Sequence, residues 1–120
     1  ILPVEEIPDE PAEAMMEVSL FELIEAFKQV VERMDKEDLL EIDTERISLS
    51  DRINEILEDL SREQSLSFSD LLKASRTRKS VVYTLLAILE LMKMRVVRAF
   101  QSDPFGPIRI FPAVEESTDG

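Results

Sequence analysis

The stretch SVVYTLLAILELMKMRVVRAFQSDPFGPIRIF, residues 80–111, changes its periodicity partway along, and that change decides the fold. Up to Met94 it is a long apolar helix containing neither Gly nor Pro, in which Val81, Val82, Leu85, Ile88, Leu89 and Met92 form the stripe expected to face a core. Past Met94 the composition favours β structure. Val96, Val97, Ala99 and Phe100 suit a strand, the Asp103-Pro104-Phe105-Gly106-Pro107 run is dense in turn formers, and Ile108 to Phe111 suit a second strand. A helix followed by a hairpin is predicted, with the tip within Ser102 to Pro107.

Upstream of this stretch, the polar run Ser75 to Lys79 supplies a turn. Before it, Ser67 and Asp70 signal a brief helix through Leu71 and Leu72 to about Ala74, and Ser65 to Phe68 alternates as a short half-buried strand does. Ser48 and Asp51 form a capping box for a helix whose stripe is Ile53, Ile56, Leu57 and Leu60, ending near Glu63. From Ile47 the order is therefore helix, short strand, short helix, turn, longer helix and hairpin. That is the order of a winged helix-turn-helix domain, placed at 47–111, with a flexible tail over 112–120.

Nearer the start, Ser19 and Glu22 make another capping box, and an amphipathic helix is predicted over 19–34 with Leu20, Leu23, Ile24, Phe27, Val31 and Met34 on one face. That face needs a surface to pack on. An acidic connector is expected over 35–46, with a short extended piece near Leu39 to Ile42. Residues 1–18 carry Pro3, Pro8 and Pro11 among Glu5, Glu6, Asp9, Glu10, Glu13 and Glu17, a composition expected of an acidic linker. The chain starts at Ile1 without a Met, as expected for a fragment of a longer protein. The fold class is thus mainly α with a small β-hairpin, and the size suits one small domain.

Composition narrows the chemistry. The chain has no Cys and no His, which removes disulfides, thiolate and imidazole ligands and the commonest proton shuttle. No cofactor or metal is expected. Acid pairs such as Glu5-Glu6, Glu37-Asp38, Glu58-Asp59 and Glu115-Glu116 lack neighbouring ligands and read as solvated surface, so an enzyme is disfavoured. No apolar run is long enough to span a bilayer and no signal peptide is visible, so a cytoplasmic protein with no membrane partner is expected. The formal net charge of −12 opposes binding of a polyanion. The charge is uneven, however: residues 73 to 98 hold seven bases, Lys73, Arg76, Arg78, Lys79, Lys93, Arg95 and Arg98, against the single acid Glu90.

Three features stand out as candidate contact sites. Arg76, Arg78 and Lys79 lie at the turn before the long helix, where a DNA reader of this fold places phosphate contacts, although solvated bases balancing nearby acids are the favoured reading. Tyr83, Ala87, Leu91 and Met94 fall on roughly the opposite face of the long helix from Leu85 and Leu89, so they form a second apolar face. Either the wing or the first helix covers it, or it docks a protein. Phe105, on the tight turn at the wing tip, either folds back onto the core or serves as an interface anchor.

The residues also carry a family resemblance. Val18 to Phe27 (VSLFELIEAF), Ile47 to Leu57 (ISLSDRINEIL), Thr84 to Leu91 (TLLAILEL) and Pro104 to Ile110 (PFGPIRI) resemble the ScpA kleisins, subunits of bacterial chromosome condensation complexes, in the same order and over about 18 to 111. Leu85, where an aromatic is expected, and Pro107 in the wing depart mildly from the pattern. The resemblance implies a non-catalytic, cytoplasmic and nucleoid-associated subunit whose winged helix docks on an SMC ATPase head, with any contact to nucleic acid indirect or weak. It further implies that an ScpB dimer associates mainly through central segments that are absent or only partial here. A winged-helix DNA-binding transcriptional regulator is the alternative.

Overall fold

In the computed structural model, which describes residues 11, 14–34 and 47–113, every described helix begins on a hydroxyl side chain that accepts a backbone N–H. Ser19 caps α1 (Leu20–Arg33) and Ser48 caps α2 (Leu49–Arg62), each in a complete capping box in which Glu22 or Asp51 bonds back to the cap N–H at 2.8 and 3.1 Å. Ser67 caps α3 (Phe68–Lys73) and Thr77 caps α4 (Arg78–Lys93). The long helix was expected from Ser80; it starts two residues earlier because Thr77 Oγ1 accepts the Ser80 N–H at 3.0 Å.

At its other end α4 closes with a residue in the left-handed region. Arg95 has φ 63°, its N–H donates to Met92 O at 3.0 Å, and the Val96 N–H reaches back to Leu91 O at 2.9 Å. This is a Schellman closure with arginine where glycine is usual. The chain then reverses into β3 (Val97–Gln101) and β4 (Ile108–Pro112), antiparallel with Ala99 opposite Ile110. The predicted hairpin therefore forms, with its tip over residues 102–107. Pro112, expected in the tail, ends β4, and the Ala113 N–H donates to Val96 O at 2.9 Å.

Two further strands complete a four-stranded antiparallel sheet in the order β1-β3-β4-β2. β2 (Leu66–Ser67) pairs with β4, where Arg109 donates to Ser65 Oγ at 2.8 Å and to its carbonyl at 3.1 Å. β1 (Met16–Val18) pairs with β3 and corrects the linker expectation for those residues. Three residues are too few to show a period, and their place depends on a β3 edge some eighty residues away. Val18 is buried opposite Ala99, and Glu17 accepts two hydrogen bonds from the Arg98 guanidinium, at 3.0 and 2.7 Å.

The core lies where α4 meets α2, α3 and the inner face of the sheet, around Ile56, Phe68, Leu72, Ile88, Leu91 and Ile110. α1 lays Leu23 into it, with Phe27 and Val31 partly buried beside Leu23, and packs on α3 and α4. The segment before residue 35 thus shares the core of the segment after 47. The expected connector over 35–46, including the extended piece near Leu39 to Ile42, lies outside the described residues, as do 1–10 and 114–120.

Candidate docking surface

The second apolar face expected on α4 divides in two. Ala87 and Leu91 are 0% and 1% exposed and belong to the core, which removes both from any docking surface. The buried residues of α4, Val81, Thr84, Leu85, Ala87, Ile88 and Leu91, still share one arc at 100° per residue, but with α2, α3, α1 and β3 packed against the helix that arc is turned from the expected stripe toward Ala87 and Leu91 and away from Val82. Val82, assigned to the core stripe, is exposed instead, as is Leu86 one turn on, while Leu89 and Met92 are only partly covered. Tyr83 is half-buried, with the Lys79 ammonium 5.4 Å from its ring centre, in cation–π range. Met94 is 58% exposed at the helix end.

Phe105 is 94% exposed, so it does not fold back onto the core. Its setting is a β-turn closed by the Gly106 N–H donating to Asp103 O at 2.8 Å, with Pro104 in the second position and Phe105 in the third at φ 85°. That third position normally takes glycine or asparagine, because a side chain there crowds the backbone. Here the glycine sits one place later, where a Cβ would come within 3.2 Å of Asp103 O and 3.3 Å of Asp103 Cβ. The turn thus holds a large aromatic in a costly conformation and points it into water. Met94 and Phe105 lie at opposite ends of β3 and do not form one patch.

Arg76, Arg78 and Lys79 are all exposed around the start of α4. Arg78 and Lys79 occupy its first turn, which holds no acid, so two cations stand at the positive end of the helix dipole. Nearby, Arg52 of α2 donates to Ser80 Oγ at 2.6 Å and pairs with Glu55 at 2.9 Å.

A groove of about 620 Å³ is lined by α1, α3 and the hairpin tip, and the sequence reading did not anticipate it. Glu22, Glu25, Ala26, Gln29, Val30 and Arg33 line one wall, while Phe68, Lys73 and the tip residues Pro104 to Ile108 line the other. The only sequence signal was the three- and four-residue recurrence of those α1 positions, on a face flanking the core stripe. Glu22 is held below the ordinary carboxylate range by its backbone hydrogen bond to Ser19, and Glu17 by Arg98, so both keep their charge. Among the described residues no three acidic side chains approach closely enough to hold a metal ion, and no helix is long and apolar enough to cross a membrane.

The family model described as segregation and condensation protein ScpA matches residues 4–112. A segregation and condensation protein A from Myxococcus xanthus is 37% identical over 114 residues, covering 92% of this chain and 39% of that protein. Proteins of the same name from Listeria welshimeri and Brevibacillus brevis are each 34% identical, over 107 and 104 residues, covering 86% of this chain and 43% and 40% of theirs. The chain spans about two-fifths of the length of these relatives. No solved structure is significantly similar to it.

Proposed function

The chain belongs to the segregation and condensation protein A family, and from that premise we propose that it is the partner-gripping C-terminal part of a kleisin, a non-catalytic subunit that serves chromosome condensation and segregation. In this reading α2, α3, α4 and the β3–β4 hairpin act as a winged helix, and its wing docks on an SMC ATPase head. An ScpB dimer associates through central segments preceding this domain.

The observation that carries the docking role is Phe105. A residue fully exposed and held at φ 85° costs stability of about 1 to 3 kcal/mol without a compensating contact inside the chain. Burying that ring in a partner's pocket returns roughly 1.5 to 3 kcal/mol, the behaviour of an interface anchor. Phe105→Ser is therefore expected to weaken binding to a purified SMC head by about tenfold or more in a calorimetric titration, with unchanged circular dichroism. Equal binding by the variant would move the docking surface away from the tip, and no binding by the wild-type chain would end the SMC reading.

A further inference from the structure

The groove between α1, α3 and the tip has a charge order that selects an occupant. Its α1 wall carries carboxylates at one end, Glu22 and Glu25, and a guanidinium at the other, Arg33, roughly 16 Å apart at the helical rise. Lys73 adds a second cation to the lining, and between the charged ends the α1 wall offers the partly exposed apolar side chains Ala26 and Val30. Phe105, largely exposed, is among the residues at the groove's edge.

We propose that this groove receives an amphipathic helix of about three turns from a partner protein, lying antiparallel to α1, acidic in its first turn and basic in its last. The length follows from the span of the wall. A helix is favoured over an extended peptide because the main wall is itself a helix, whose backbone groups are already bonded, and it offers side-chain steps at helical spacing in place of a strand edge. Direction follows from charge: helices favour acids at their N-termini and bases at their C-termini, and only the antiparallel arrangement sets those acids against Arg33 and those bases against Glu22 and Glu25. It also opposes the two helix dipoles. The inference rests on the groove and not on the SMC reading.

Two synthetic helical peptides of about 14 residues test it, each with leucines at steps of three and four, one carrying Glu in the first turn and Lys in the last, the other with these ends exchanged. Fluorescence anisotropy with the full chain at low salt is expected to show a preference for the first peptide of roughly fivefold or more. Glu25→Lys combined with Arg33→Glu, at two exposed positions, should reverse the preference, and Ala26→Arg should abolish binding of both peptides. Equal affinity for the two peptides, no binding of either, or a preference that survives the double reversal overturns the proposal. Sedimentation completes the test: a monomer is expected, and a dimer that the double variant dissolves would give the groove to a second copy and overturn it as well.

Discussion

A left-handed residue without a glycine is costly wherever it stands, yet Arg95 and Phe105 have different meanings because their surroundings differ. Arg95 closes a helix and its conformation serves the turn into β3. Its replacement by glycine should raise stability by about 0.5 to 1 kcal/mol, relief of strain exceeding the added chain entropy, as a urea titration will show. Leu91 makes the opposite case. With the side chain 1% exposed among packed neighbours, Leu91→Ala should cost about 2 to 5 kcal/mol, and a charged residue there should prevent folding. A loss below about 1 kcal/mol would return Leu91 to the surface face that periodicity alone suggested.

Among the elements, β1 is the least expected and the most exposed to conditions. Only three residues hold it to β3, and the Glu17–Arg98 pair clamps its outer face. Because Arg98 depresses the Glu17 carboxyl below its ordinary 4.5, the folded state binds that proton less readily than the unfolded chain does. The clamp's contribution is therefore present above pH 4.5 and is lost as pH falls below it. Both side chains are about half exposed, so the effect at neutral pH should stay under about 1 kcal/mol. Urea titrations of the wild type and Glu17→Gln should differ at neutral pH and converge well below 4.5; a gap that is constant with pH would mean that the pair adds nothing.

For the molecule as a whole, charge separates protein partners from nucleic acid. Arg76, Arg78 and Lys79 form a basic patch of the sort that meets phosphate, but they belong to a chain of net charge −12. Binding to duplex DNA should accordingly be weak and should vanish as salt approaches physiological strength, since each phosphate contact adds to the salt slope. Electrophoretic titration checks this: submicromolar, sequence-selective binding at physiological salt would favour a DNA-binding regulator over the kleisin reading.

Local chemistry was legible from the residues themselves. The serine caps at 19, 48 and 67, the helices that follow them and the β3–β4 hairpin all rest on interactions within a few positions, where spacing and residue type decide the outcome. The family, too, could be recognised from four ordered segments. What only the tertiary structure decided depends on which surfaces meet. β1 needed the β3 edge to exist as a strand, and Ala87 and Leu91 became core because the elements packed on α4 cover an arc turned away from the stripe that periodicity suggested. The groove arose only when α1 came to rest beside α3 and the tip. Periodicity counts the faces of one helix; how many of them are covered is set by the packing of the others, since burial is a property of pairs of surfaces and not of a single element.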